Sequence, residues 1–294
     1  VVYPNMNTPP NLRSLVIEPS GKALIAAGAP GTIIRSQDGG NKWQIVHWTP
    51  LEKQEAFPWI LSDPRQKSLA VIEARGSIYS SRDTGRSWQP SKLTTDRELW
   101  HGAVASNKSV MLVAGQRGVA ARSTDGGRRW VLVDTGTEED LFGSYADERS
   151  GAMFLLGSKG ALLRSTDAGV TWRDVASGTD HSLRRMFHDP KTDSLMAFGE
   201  YGGIVRSTDG GESWQSIGSG VDAELRKGLI EPGSGNLVLV GQQGTILRSA
   251  DAGKRWQRIS SHTRRHFRSA VFNSRNGDLI LVGERIVRLS TTSH

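Results

Sequence analysis

Ser123-Thr-Asp125-Gly-Gly127-Arg-Arg-Trp130 is the stretch on which the fold turns. Its spacing, S-x-D-x-G-x-x-W, returns five more times. The copies are Ser36, Asp38, Gly40, Trp43; then Ser81, Asp83, Gly85, Trp88; and Ser165, Asp167, Gly169, Trp172. Two more follow as Ser207, Asp209, Gly211, Trp214 and Ser249, Asp251, Gly253, Trp256. From Asp83 onward the Asp-to-Asp step is constant, and only the step from Asp38 to Asp83 is slightly longer. Six of the nine tryptophans sit in these copies. A fixed period of this kind marks a repeat architecture and outranks other local signals.

Outward from the octapeptide, a second pattern repeats. A leading Leu or Phe is followed, at one fixed step, by Gly: Leu12 and Gly28, Leu99 and Gly115, Leu141 and Gly157, Leu183 and Gly199, Leu225 and Gly241, Phe267 and Gly283. A G-x-x-G turn and a short apolar run then lead into the next octapeptide. Each unit reads as four short strands separated by turn residues. Four strands in about 42 residues make one propeller blade. The expectation is one all-β domain over residues 1–294, a seven-bladed β-propeller of four-stranded blades. The blades fall at about 12–48, 57–91, 99–134, 141–176, 183–218, 225–260 and 267–290. The last copy lacks an octapeptide and a fourth strand, so residues 1–4 are expected to supply that strand and fasten the ring. Such a closure removes an exposed sheet edge.

The octapeptide has the chemistry of a tight hairpin between the third and fourth strands of a blade. Asp accepts backbone amides, Ser does the same more weakly, and Gly takes backbone angles that other residues resist. The Trp is expected to start the outer strand and wedge between blades. A catalytic carboxylate is needed once or twice, not once per blade at the same turn, so all six Asp are assigned to structure.

Composition narrows the function. Hydrophobic residues make up 36% and charged residues 23% of the chain, and no run is long enough to cross a membrane. Cysteine is absent, which excludes disulfides, zinc–thiolate sites and cysteine nucleophiles. His262 and His266 are four apart in an interblade loop, an arrangement that does not point to a metal, and no cofactor is expected. The chain begins Val1-Val2-Tyr3, as expected after removal of a signal peptide. The formal charge is +7, and the segment from Lys254 onward carries all of the excess: nine Lys and Arg against Asp278 and Glu284. A basic end fits an acidic protein segment, an anionic lipid surface or another polyanion. Nucleic acid is not favoured, since no binding motif or aromatic stacking run accompanies the charge.

One register position carries the candidate site. The residue after the leading Leu or Phe is Arg13, Arg184, Arg226 and Arg268 in blades one, five, six and seven. It is Trp100 and Phe142 in blades three and four, and blade two has Pro58 there. Four arginines in one register are expected to form an arc at one mouth of the channel, with Arg185, Arg264, Arg265 and His266 on the same side. Arg75, Arg117 and Lys159 stand in loops between second and third strands, and Glu138, Glu139 and Asp140 lie in the loop before blade four. Arginine suits carboxylate or phosphate recognition because its fork is bidentate. A second series (Arg35, Arg122, Arg164, Arg206, Arg248) precedes five of the octapeptides and reads as part of the hairpin unit.

The octapeptide resembles the Asp-box, or BNR repeat, of sialidases, xyloglucan hydrolases and sorting receptors. The Arg-Ile-Pro motif and Tyr/Glu pair that sialidases add are missing, and the chain has length for one propeller where xyloglucan hydrolases use two. The fuller unit, Gly115-Gln-Arg-Gly118-Val-Ala-Ala-Arg-Ser123-Thr-Asp125-Gly-Gly127-Arg-Arg-Trp130, is similar to those of the photosystem II assembly/stability factor family. That resemblance covers all seven units. It implies a lumenal, non-enzymatic seven-bladed propeller that helps assemble a membrane complex through an arginine-rich patch. Relatives in bacteria without photosystems resemble envelope proteins associated with transporters. The resulting expectation is a non-catalytic scaffold or accessory factor outside the cytoplasm, periplasmic or lumen-like, docking a membrane protein with an acidic segment. The alternative is a carbohydrate-active or carbohydrate-binding Asp-box propeller.

Overall fold

Each leading Leu or Phe faces its glycine across an antiparallel pair. Leu12 pairs with Gly28, Leu99 with Gly115, Leu183 with Gly199, Leu225 with Gly241 and Phe267 with Gly283. The glycine is required by close approach. A Cβ at Gly199 would stand 2.0 Å from the Ser182 carbonyl oxygen, and one at Gly241 would stand 2.0 Å from that of Glu224. Cβ atoms do not approach that closely, so strand one lies against strand two only where the side chain is absent.

The computed structural model describes residues 11–29, 31–48, 59–73, 76–273, 277–283 and 286–290. They form seven antiparallel sheets in chain order, six of four strands and a last one of three described strands. The first strands are Asn11–Ile17, Trp59–Asp63, Leu99–Ala105, Leu141–Ala146, Leu183–Asp189, Leu225–Ile230 and Phe267–Phe272. In every sheet the neighbours are consecutive in sequence, as in the blades of a propeller. The fold class is an all-β, seven-bladed β-propeller. Helix is confined to four short 3₁₀ turns among the described residues. No helix there is long and apolar enough to cross a membrane. The strand expected from residues 1–4, and Pro58, Arg75, Arg275, Glu284, Arg285 and His294, lie outside the described residues.

The chain divides into two compact units. The first comprises residues 1–154 and 165–173. Its core is built where the middle strands of successive sheets meet. Ile25, Ala27 and Ile33 of sheet one pack with Ile60, Leu69, Val71 and Trp88 of sheet two. Leu61, Ala70 and Ile72 of sheet two pack in turn with Met111, Val113 and Trp130 of sheet three. The second unit comprises residues 155–164 and 174–294. There Met196 and Phe198 pack with Leu237, Leu239 and Leu247, and Val238 and Val240 pack with Phe267, Ala270 and Leu281. The second strands of sheets two to six are covered on both faces. This is why their runs are continuously apolar instead of alternating.

The octapeptide turns are closed by their own side chains. In the third copy Asp125 accepts the backbone N–H groups of Arg128 (3.1 Å) and Arg129 (2.9 Å) and the hydroxyl of Ser123 (3.0 Å). The Ser123 hydroxyl in turn accepts the Gly127 N–H at 2.9 Å. The same pattern holds Asp38, Asp83, Asp167, Asp209 and Asp251. Trp130 donates its indole N–H to the Gly127 carbonyl, as do Trp43, Trp88 and Trp214 within their own turns. The outer strands begin just after the Trp, at Gln44, Gln89, Val131, Arg173, Gln215 and Gln257. The Trp side chain is thereby left to the interblade core.

Three members of the second arginine series link one blade to the next, while the Nε of Arg206 is buried without a hydrogen-bond partner among the described residues. Arg35 donates to the Thr84 carbonyl at 3.0 Å, Arg122 to that of Ala168 at 3.0 Å and Arg164 to that of Gly210 at 3.2 Å. Each acceptor is the residue after the Asp in the following octapeptide. Arg248 instead bonds Glu231 of its own sheet at 2.6 Å.

Candidate functional site

The arginine register coincides with a backbone irregularity. The pairing of strand one shifts between Leu12 and Ser14, Leu183 and Arg185, Leu225 and Lys227, and Phe267 and Ser269. Arg13, Arg184, Arg226 and Arg268 are therefore the bulged residues of their strands. A bulge leaves one residue out of the ladder and re-aims its side chain, which is how sheets commonly present a functional group.

In the second unit the bulges on sheets five and six bring cations together around one carboxylate. Glu224 lies just before the sixth sheet. Its Oε1 is 3.3 Å from Arg184 Nε, and its Oε2 is 2.9 Å from an Arg226 terminal nitrogen. Gln242 donates its amide to the same Oε2 at 2.5 Å. Arg184 also pairs with Glu200, which leads the G-x-x-G turn of its own sheet. Burial pushes the Glu200 carboxyl up, but the hydrogen bonds from Arg184 and Ser182 more than offset it and hold the group below its usual range.

Next to Arg184 and Arg226 stands another cation, Arg185 on sheet five and Lys227 on sheet six. Arg185 donates to the Arg184 carbonyl at 2.7 Å. Its guanidinium is pushed down to about 10, first by burial and then by Arg184 and Arg226, with Glu224 opposing. Lys227 is lowered first by burial and then by Arg185. Lys227 nonetheless remains exposed to water. Arg184 and Arg226 thus pair with the two carboxylates, and Arg185 and Lys227 beside them add positive charge that burial already penalises.

The remaining expected residues are distributed differently. Arg268 is exposed at the bulge of sheet seven and pairs with no carboxylate among the described residues. Arg264 and Arg265 are exposed in the loop before that sheet, and His266 accepts the Gln243 N–H through Nδ1 at 3.2 Å. Arg13 lies on the first strand, but its side chain is outside the described residues. Arg117 bonds Glu138 at 3.3 Å, and its N–H bonds Asp140, so the acids of that loop are occupied by the neighbouring turn. Trp100 and Phe142, which hold the register position in sheets three and four, stack at 5.6 Å. Sequence reasoning missed Lys227, Glu200 and Glu224. Lys227 was open to detection, since it occupies the register of Arg185 one repeat later.

No group of three or more metal-ligating side chains occurs among the described residues.

Residues 132–285 match the model of the family described as Photosynthesis system II assembly factor YCF48. The chain belongs to this family. No curated protein matches it. A YCF48 structure bound to a D1 peptide is similar over 97% of this chain and 93% of its own, at 17% identity and TM-score 0.67. YCF48 from Cyanidioschyzon merolae is similar over 96% of this chain and 95% of its own, at 15% identity and TM-score 0.66. A GH74 xyloglucanase from Xanthomonas campestris is similar over 93% of this chain but 51% of its own, at 16% identity and TM-score 0.69. At these identities the structural likenesses speak for the fold, and the family assignment rests on the matched residues.

Proposed function

We propose that this chain is a non-catalytic scaffold, an assembly or accessory factor that docks an acidic segment of a membrane protein outside the cytoplasm. The client is a photosystem-type or transporter-type complex. The observation that carries the reading is the cluster of Arg184, Arg185, Arg226 and Lys227 around Glu200 and Glu224. An incoming carboxylate would share guanidinium groups that already carry more charge than their own acids offset. Arg268 extends the same surface, with Arg264, Arg265 and His266 at its border, and Arg13 holds the equivalent bulge in the first unit.

Two further points support it. A relative in the same family is a structure bound to a D1 peptide, which is a binding role and not a turnover role. The six octapeptide Asp are engaged by their own turns, which leaves them poorly placed to act as a glycosidase acid and nucleophile.

The test is capture of a membrane protein from solubilised membranes, with an acidic peptide as a defined probe. Changing Arg184, Arg226 and Arg268 together to Glu abolishes capture and leaves the circular dichroism spectrum unchanged. Binding by the wild type weakens as salt rises, since exposed charges are screened over about 8–10 Å at moderate ionic strength. Capture that survives the triple change, or turnover of a glycoside above background, overturns the proposal.

A further inference from the structure

The repeat allows each interblade loop to be compared with its equivalents in the same chain. The third position before the leading Leu or Phe is acidic in four loops: Asp96, Glu138, Asp180 and Asp222. In the loop before sheet seven that residue is Arg264. Two positions earlier, three loops have a glycine in the left-handed region, Gly136 (φ 70°), Gly178 (φ 75°) and Gly220 (φ 72°). The last loop keeps that backbone conformation but places His262 there, at φ 53°. One loop has therefore reversed the charge of its acid and put an imidazole where the backbone favours glycine.

The two changes occur at one cavity. A hollow of about 660 Å³ is lined by residues of this loop, among them Arg258, Ser261, His262, Thr263 and Arg264, with Gly244 opposite. Arg258 stands where the equivalent strand has Ser216, so it is a second cation particular to this loop. Among the described residues neither Arg258 nor Arg264 pairs with a carboxylate, and both are exposed. The cavity floor is held by buried Ser261, whose hydroxyl bonds the carbonyls of Gly244 (2.7 Å) and Thr263 (2.9 Å). The loop shape is thus fixed by the bonds used in the other loops, where Thr135 bonds the Gly118 carbonyl at 2.8 Å. Only the lining has been changed.

We infer that this cavity is a phosphate-binding site, separate from the Arg184–Arg226 cluster. Two guanidinium groups and an imidazole around one hollow match a dianion better than a single carboxylate, and an arginine fork presents paired donors to phosphate oxygens. The hollow opens to solvent, so a phosphate carried on a larger polar body can enter it. That body is either a soluble phosphorylated metabolite or the headgroup of an anionic phospholipid.

The test exploits the repeat. The double change His262→Gly with Arg264→Asp restores the residues of the Gly220 and Asp222 loop, so the fold is retained. Arg258→Ser, which restores the residue of sheet five, is the second variant. Calorimetry with glycerol 3-phosphate reports the soluble source. Co-sedimentation with phosphatidylcholine vesicles, with and without phosphatidylglycerol, reports the headgroup. Wild type binds at least one phosphate probe and ignores phosphatidylcholine alone. Each variant weakens that binding roughly ten- to hundred-fold, the worth of one charge-assisted hydrogen bond, and Arg258→Ser, which lies outside the docking surface, keeps acidic-peptide capture. Wild type that binds neither probe, or variants that bind as wild type does, overturn the assignment.

Discussion

Replacing Glu224 with Gln separates a binding cluster from a structural rim. The carboxylate touches Arg184 at 3.3 Å and Arg226 at 2.9 Å, and its side chain is 17% exposed. Removing one partner of a fully buried pair costs about 3–5 kcal/mol, and an exposed pair is worth about 0–1 kcal/mol. With both arginines about one-third open or less, the expected loss lies between, at about 1.5–2.5 kcal/mol. For a chain of this size each kcal/mol lowers Tm by about 2 °C, so the variant melts roughly 3–5 °C earlier. Binding moves the other way. Glu224 is the internal competitor for the guanidinium groups an acidic client needs. At an effective dielectric constant between about 40 and 80, the unit of positive charge gained by its neutralisation, at about 5 Å from the docked carboxylate, is worth about 1–1.5 kcal/mol, or about five- to ten-fold tighter binding. Fluorescence anisotropy with a labelled acidic peptide at low salt measures it, and the gain shrinks as salt is added. Unchanged or weaker affinity in a folded Glu224→Gln protein refutes the reasoning.

Four other variants have expected outcomes. Arg185→Ser, which installs the residue found at Ser14 and Ser269, raises Tm by about 2–4 °C, because it removes a cation whose charged form the fold opposes, at about 1.4 kcal/mol per pKa unit discounted for solvent reach. Asp209→Ala costs about 1–2 kcal/mol through lost turn hydrogen bonds. Because Asp209 is held down at about 2 in the fold, its contribution is full above the unfolded carboxyl range and fades as pH falls towards 2. The acid limb of a stability–pH curve is therefore shallower in the variant. Gly241→Ala is expected to cost well over about 1 kcal/mol and to weaken peptide binding, since the new Cβ meets the Glu224 carbonyl at 2.0 Å. Gly220→Ala, with nothing within 4 Å at φ 72°, costs about 1 kcal/mol and leaves binding unchanged. Paired melting and anisotropy measurements check both.

The architecture was legible because its determinants are local and repeated. The fixed step from Leu to Gly is a strand pair, and S-x-D-x-G-x-x-W is a turn that bonds itself, so spacing alone reports both. The site was legible only in outline. Spacing placed Arg184, Arg226 and Arg268 in one register, but the bulge at that register is a backbone event with no residue signature of its own. The sharing of Glu224 by Arg184 and Arg226 crosses from one sheet to the next and depends on how closely two strands approach. Within that register the partners differ: Arg184 and Arg226 are partly neutralised, Arg268 has no carboxylate partner among the described residues, and Arg264 lines a cavity of its own. The function of the second arginine series was also hidden, because a guanidinium reaching the next blade at Thr84 or Ala168 looks, in sequence, like part of its own hairpin.

Those reaching arginines give the chain a polarity. At Arg35, Arg122 and Arg164 a guanidinium extends forward, and the carbonyl that satisfies it belongs to a turn later in the chain. A ribosome delivers the donor first and the acceptor afterwards, so each such blade would fasten its successor as it emerges. Arg248 instead turns back to Glu231 of its own sheet. Inserting a second copy of the unit that carries Arg122 would add a guanidinium whose acceptor arrives with the following octapeptide turn.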